Sequence, residues 1–387
     1  MIPVKYNVRS LRVRWVTTLL TCLAIGFVVF ASVLTFGMLD GIDHALSSSG
    51  SPSDLIIMRK GSNNEMSSTI TPTNARELAN LPGIATGAAG ESLVSKEFVT
   101  IVIKPRRNNG GTANVIVRGL DQVGRQLRPE FKIVEGRDLE PGVNELITSR
   151  KIADRFENLG LGEKFEINKV VFEVVGIFEA AGSSAESEVW ADLRDLTSAQ
   201  RFEGAVSVVN MRVPDDAVRQ EIIDRVRDDD QFKLSALTET DYFENQKSAS
   251  IAIRAVAFII AGFLTVGAMF AAANTMYAAV SSRGREIGTL RALGFPRRTV
   301  LTSFLVESLV LCSLGGFLGC LATLPLNGIS GGTQNALTFS EITFSFRFGP
   351  QVLLQGMGLA VAMGLIGGLF PAIRAIRLDI IEVLRET

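Results

Sequence analysis

Apolar residues run almost unbroken through four windows of the chain: Trp15 to Leu39, Ala255 to Ser282, Thr299 to Leu326 and Phe348 to Ile373. The only charge inside any of them is Glu307. A helix needs about 20 apolar residues to cross a hydrocarbon core roughly 30 Å thick, so each window can span with tilt to spare. Buried helices of soluble proteins seldom run so far without a charge. The pattern predicts four transmembrane helices, over 15–40, 251–282, 299–326 and 348–373, one before and three after a long polar stretch.

Ahead of the first window, VKYNVRSLRVRW sets Val4, Val8, Leu11 and Trp15 at helical spacing among basic residues. That suits an amphipathic helix over 1–14 lying on a lipid surface; a disordered basic flank that only sets topology is the other reading. The window is too long for the apolar part of a secretory signal, and no clear small-x-small cleavage pattern follows it. An uncleaved anchor is expected.

Between the first two windows the period changes. DLIIM, EFVTIVI, ANVIVRGL and VSVVNMRV are β-branched runs, whereas TPTNARELANL and DDAVRQEIIDRVRD are helical, the first opened by a threonine cap beside Pro72 and the second by Asp215 and Asp216. FEINKVVFEVVGIF reads as a hairpin turning near Asn168 and Lys169. The expected fold is an integral membrane protein of four transmembrane α-helices with a large extracytoplasmic α+β domain over 41–250. Two lobes are expected in it, one over about 45–120 and 205–245 and an inserted one over about 121–204.

Composition agrees: of 387 residues, 47% are hydrophobic and only 20% charged, too apolar for an ordinary soluble chain. Charge then orients the spans, because lysine and arginine near helix ends stay on the cytoplasmic side. Lys5, Arg9, Arg12 and Arg14 precede the first span; Arg283, Arg285, Arg291, Arg297 and Arg298 follow the second; Arg374, Arg377 and Arg385 follow the fourth. The first span instead exits toward Asp40 and Asp43, and the connection 327–347 holds Glu341 as its only acid. Both termini and the segment 283–298, as well as the tail 374–387, are expected inside. The large domain and the short external loop are expected outside.

Chemistry is mostly absent. The sequence has no GxxxxGK[ST] phosphate loop, no HExxH and no GxSxG elbow, so no catalytic residue, resident cofactor or metal is expected, and no nucleic-acid partner. Cys22, Cys312 and Cys320 all lie in predicted spans, which leaves the outer domain to hold by packing alone. His44, the lone histidine, is expected to be a solvated boundary residue. Glu307 is costly in lipid. It is a candidate proton or substrate site, or a polar contact between helices within reach of Arg297 or Arg298. Gly315 with Gly319 and Gly364 with Gly368, each four apart, allow close helix approach, either within one subunit or between two.

The stretch SSRGREIGTLRALGFPRRTV, Ser281 to Val300, is basic and glycine-punctuated. Gly284 and Gly294 bracket a short helix with Pro296 beyond it; Arg285, Arg291 and Glu286 offer charge, and Ile287 and Leu290 an apolar face. EIGTLRALG within it, together with FPAIRAIRLDIIEVLR near the end, resembles the permease family of ATP-binding-cassette systems that includes FtsX, the lipoprotein-releasing permeases and the macrolide exporter MacB. NVRSLRVRWVTTLLTCLAIGF is similar to that family's basic helix and first span. FKIVEGRDLEPGVNELITSRKIADRFENLGLGEKFEINKVVFEVVGIF is similar to its periplasmic core.

The resemblance implies a non-catalytic, dimeric mechanotransmitter in a bacterial inner membrane, with its large domain in the periplasm. Its partners would be a cytoplasmic ATPase carrying ATP and Mg, expected as a separate polypeptide, a second identical or related permease copy, membrane lipids, and in some systems a periplasmic adaptor protein. The ATPase-coupling element would map onto Arg283, Arg285, Glu286, Ile287, Gly288, Leu290, Arg291 and Gly294. Export or extraction of lipids, lipoproteins, peptides or other amphiphiles is one expectation. A non-transporting signal transmitter acting on periplasmic enzymes is a second, and a proton-coupled carrier using Glu307 a third.

Overall fold

The computed structural model describes residues 15–107, 110–202, 204–229, 232–249, 251–334 and 340–377. The expected surface helix over 1–14 and the tail beyond Arg377 lie outside the described residues. The chain forms two units: a helical one up to Asp40 with Ala252–Ile329 and from Phe346 on, and an α/β one from Gly41–Ile251 and Ser330–Ser345.

All four long apolar helices are present. Helix α1 is Trp15–Ser47. It runs beyond the expected end near residue 40 because Asp40 and Asp43 do not break a helix; the stop comes at the Ser/Gly/Pro stretch that follows. In the α/β unit, β1 (Asp54–Arg59) and α2 (Pro72–Ala79) come first. Thr71 caps α2 by accepting from Asn74 N at 3.3 Å, with Pro72 at the first helical position. Then follow β2 (Val94–Pro105), β3 (Thr112–Leu120), α3 (Gln122–Gln126), β4 (Lys132–Gly136), β5 (Glu145–Ser149) and α4 (Arg150–Arg155). Strands β6 (Lys164–Ile167) and β7 (Val170–Glu179) form the expected hairpin, and its turn residues Asn168 and Lys169 both have positive φ, 48° and 71°. The domain continues with β8 (Glu188–Asp192), α5 (Leu193–Ala199), β9 (Val208–Arg212), α6 (Asp216–Asp228), β10 (Leu234–Thr238) and α7 (Glu239–Ala249). Asp215 caps α6 through Ala217 N at 2.8 Å.

These strands form one sheet in the order β10-β1-β9-β2-β3-β8-β5-β7-β4, with β6 on β7. Beside two smaller apolar cores, two large ones lie along it. One gathers Leu55, Ile57, Leu78, Val209, Met211 and Ile222. The other gathers Phe156, Phe165, Phe172, Val174 and Val189, but also Phe98, Val115 and Val117 of the β2–β3 hairpin, which the expected division at about 121 would have left out. Strand β2 joins them by changing partner part-way: Val94–Glu97 pair with β9, and Phe98–Pro105 pair with β3. At the change, Val99 N donates to Ser207 Oγ at 3.0 Å, so a buried side chain takes a donor that the ladder to β9 no longer reaches.

Helix α8 (Ile251–Ser282), α9 (Gly284–Ala292), α10 (Arg297–Thr323) and α11 (Pro350–Arg377) complete the helical unit. Its glycines let backbones touch. A Cβ on Gly315 would lie 2.8 Å from Cys22 O of α1, and one on Gly319 2.5 Å from Gly26 O. One on Gly364 would lie 3.1 Å from Cys312 Cβ of α10, and one on Gly368 2.6 Å from Ser308 Cβ. Both glycine pairs are thus occupied by packing within the chain. Ser308 Oγ adds a hydrogen bond to Gly364 O at 2.8 Å.

The connection 327–347, expected to be a short loop, contains a hairpin of β11 (Ser330–Gln334) and β12 (Glu341–Ser345) that belongs to the α/β unit. Glu341 is buried and takes Arg106 Nε at 3.0 Å and the Arg155 guanidinium. Thr343 N donates to Ser187 Oγ at 2.9 Å. A strand pair needs burial and partners beyond its own ladder, and here the α/β domain supplies both.

Candidate functional site

Helix α9 is short and turns at both ends. Leu293 caps it, Gly294 follows with φ +90°, and Phe295 N returns to Leu290 O at 3.2 Å, the left-handed glycine stop expected at this position. One stripe at four-residue spacing, Arg283, Ile287 and Arg291, faces the chain's own helices. Arg283 Nη1 donates to Glu307 Oε2 of α10 at 2.9 Å, and its guanidinium lies 5.6 Å from the centre of the Phe304 ring. Ile287 is 3% exposed among Met276, Val280 and Val300. Arg291 Nη1 donates to Ile376 O, near the end of α11, at 3.1 Å. The helix is therefore fastened to both α10 and α11. Its other side leaves Arg285, Glu286, Thr289 and Leu293 exposed.

The α/β domain holds a second concentration of charge. Arg118 of β3 donates to Glu188 through Nε and Nη2, to Glu65 through Nη1 and Nη2, and to Glu97 through Nη1, all at 2.7–2.9 Å. All five of its N–H groups are used. Glu97, 0% exposed, also takes Arg128 at 2.8 Å. Burial pushes the Glu97 carboxyl up, but Arg128 and Arg118 outweigh it and hold the group at about 2. Burial likewise opposes the charge on Arg118, and Glu188, Glu65 and Glu97 more than offset it, so the guanidinium stays charged. Glu188 Oε2 additionally accepts from Trp190 Nε1 at 2.8 Å, and Trp190 stacks on Phe178 at 4.4 Å between centroids.

Beside this network lies a cavity of about 590 Å³. Its walls include Arg118, Arg128, Arg212, Glu239, Tyr242, Phe243 and the serine-rich turns around Ser49 and Ser184. Arg212 is held by Asp54 at 2.6 Å. Burial pushes the Glu239 carboxyl up to about 7, with Arg128 opposing and Asp54 adding to the rise. Burial also pushes Tyr242 well above the ordinary phenol range.

Two family models match. The MacB-like periplasmic core domain covers residues 18–229, more than half of the chain, and the FtsX-like permease C-terminal model covers 258–380. The chain belongs to the MacB-like family of ABC-transporter permeases. Among its relatives, macrolide export ATP-binding/permease protein MacB 1/2 of Paracoccus denitrificans (strain Pd 1222) is 27% identical, over 58% of this chain and 34% of that one. Pyoverdine export ATP-binding/permease protein PvdT of Pseudomonas entomophila (strain L48) is 28% identical, over 66% and 40%. The MacB-like chain spans little more than a third of the length of the first such relatives. The crystal structure of the periplasmic region of MacB from Actinobacillus actinomycetemcomitans aligns at 14% identity with a TM-score of 0.37, over 53% of this chain and 97% of that one.

The structure of this MacB-like permease redistributes the expected coupling residues. Arg285 and Glu286 are exposed and Leu290 is half-buried, whereas Ile287 and Gly288 are buried, so the apolar face expected for a partner is turned inward at Ile287. Arg291 donates to a carbonyl of α11. Glu307 pairs with Arg283 and not with Arg297 or Arg298, because the α8–α9 turn brings Arg283 over its helix. Among the described residues no cluster of histidine, cysteine and carboxylates could hold a metal. His44 is exposed, on the last turns of α1. The Arg118 network leaves little trace in the sequence. Its five members come from five separate segments, and the only local sign was an arginine inside the β-branched run ANVIVRGL.

Proposed function

We propose that this chain is the membrane-spanning coupler of an ABC exporter, passing movement from a cytoplasmic ATPase through α9 into the spans and on to the periplasmic domain. The observation that carries this reading is the two-sided character of α9. Its inner stripe is bonded to α10 by Arg283 and to α11 by Arg291, while Arg285, Glu286 and Leu293 remain exposed. A push on the outer side has only fastened groups to act through. The sequence carries no phosphate loop, so ATP and Mg act at a nucleotide-binding part beyond these residues. The names of the relatives, which join ATP-binding to permease, support that partner.

On this reading the basic flanks and α9 face the cytoplasm, following the distribution of arginine and lysine. The unit works as a dimer with a second permease copy, and in some assemblies with a periplasmic adaptor. Its cargo is amphiphilic: a lipid, lipoprotein, peptide or small molecule taken from the membrane or periplasm. The relatives named for macrolide and pyoverdine export favour transport over signalling. The test is the Glu286→Lys variant, reconstituted with the cognate ATPase. Loss of ATPase stimulation from a folded, inserted permease is the expected result, and unchanged stimulation overturns the coupling role of α9.

A further inference from the structure

The cavity of the α/β domain has no part in the coupling reading. At about 590 Å³ it is far larger than a packing defect and falls in the range of small-molecule sites, about 300–1,000 Å³. We propose that it binds a protonated amine carried on an apolar body.

Charge is the first reason. Five carboxylates line it, Glu65, Glu130, Glu188, Glu239 and Glu341, against three guanidiniums, Arg118, Arg128 and Arg212. The partners just behind the walls, Asp54 and Glu97 on one side and Arg106 and Arg155 on the other, leave that excess of carboxylates unchanged. An anionic ligand gains little from Arg118, whose five N–H groups are already used by protein carboxylates.

Unfilled acceptors are the second reason. Asn210 lines the cavity and is 2% exposed, and its Oδ1 is buried with no hydrogen-bond partner. A buried acceptor left unmatched costs about 1–3 kcal/mol, which a donor arriving with a ligand would recover. Asn210 of β9 sits opposite Ile56 of β1, and Ile56 sits opposite Leu237 of β10, two residues before Glu239. The sheet thus places Asn210 on β9 and Glu239 just past the end of β10, one strand beyond β1, and both line the cavity. Glu239 Oε2 accepts from Ser51 N at 3.1 Å, and the carboxylate otherwise fronts the cavity wall. An ammonium group supplies the charge that Glu239 calls for, and the body that carries it brings donors within reach of the Asn210 side of the cavity.

The remaining lining fits the rest of such a molecule. Leu46, Ile56, Ile116 and Leu127 offer aliphatic surface, and Tyr242 and Phe243 offer rings to the cation or to an apolar body. The geometry lies wholly within the α/β domain and is independent of whether α9 meets an ATPase.

The test uses the purified full chain in lipid nanodiscs with no ATPase present. Dansylcadaverine, a primary amine on an apolar fluorescent body, is titrated beside its N-acetylated form, which keeps the body and removes the charge. Saturable binding of the amine is expected, weakened about tenfold or more by acetylation and by Glu239→Gln, and less by Asn210→Ala. Equal binding of both probes, amine binding untouched by Glu239→Gln, or no saturable binding at all, as for a cavity filled only by water, overturns the proposal. The acetylated probe needs no variant, so the test survives if Asn210→Ala misfolds. A failure of Glu286→Lys to uncouple the ATPase would leave this result as it stands.

Discussion

The two units of the chain each take an arginine and a carboxylate out of water, and they do it in opposite ways. In the α/β domain Arg118 is saturated by three carboxylates, and a second guanidinium, Arg128, shares one of them. In the helical unit Arg283 bonds Glu307 at 2.9 Å, with Glu286 at 3.2 Å on its exposed side. A saturated network has one arrangement, because any displacement leaves several buried groups unmatched at once. An arginine at a helix end that is shared between a buried carboxylate and an exposed one can change its partner at lower cost. The first suits a wall that keeps its shape, the second a joint that moves.

The largest effect is expected from Glu97→Ala. The substitution leaves buried Arg118 and half-buried Arg128 without their shared carboxylate, and the domain should lose roughly 3–5 kcal/mol, measured as lost hydrogen-exchange protection across β2 and β3. A loss confined to a few tenths of that range would mean the network is ornament to a fold held by its apolar cores.

The helical pair should respond more gently and in graded fashion. Glu307→Gln keeps a hydrogen-bond acceptor for Arg283 and should leave coupled transport near its normal rate. Glu307→Ala removes the acceptor and should loosen α9 by about 1–3 kcal/mol, visible as faster exchange in α9 and weaker ATPase stimulation. A strict requirement for the carboxylate, with proton flux into vesicles, would instead make Glu307 a proton site and undo the description of a joint.

Changes of pH sharpen the contrast with the smallest effects. Glu97 is held at about 2 in the folded domain, below its ordinary 4.5, so its contribution is complete above about 4.5 and is lost as pH falls toward 2. Glu239 is raised from 4.5 to about 7, so its contribution is complete below about 4.5 and is lost as pH rises from there through 7. Asp54, Glu97, Arg128 and Arg212 are the charged groups that bear on it. The melting temperature of the domain should fall below about pH 4.5 because of Glu97, and Glu239→Gln should remove a separate decline between about 4.5 and 7.

What could be read in the sequence was whatever depends on neighbours along the chain. The four spans announce themselves by length and lack of charge. Thr71, Asp215 and the Asn168–Lys169 turn act within three residues of themselves, and so do Gly294 and Pro296 at the end of α9. The glycine pairs were legible as close contacts, but not whether the contact lay inside one chain, because glycine spacing carries no address. What stayed hidden depends on distant segments meeting. The change of partner along β2 requires knowing that β9 and β3 both claim it. The direction of Ile287 and Arg291 depends on where α10 and α11 lie. The cavity is a property of the sheet, two loops and α7 together, and none of its residues is distinctive alone.

Strand β2 carries its two ladders in succession, one over Val94–Glu97 and the next over Phe98–Pro105. The two halves of the sheet are therefore spliced in series, like ropes joined end to end, and a pull on one reaches the other across the bond between Glu97 and Phe98. Glu97 is also the residue that Arg118 and Arg128 clasp, and Ser207 ties down the next turn of the pleat at Val99. The splice is pinned where it would otherwise slip, so the two halves of the sheet should move as one body.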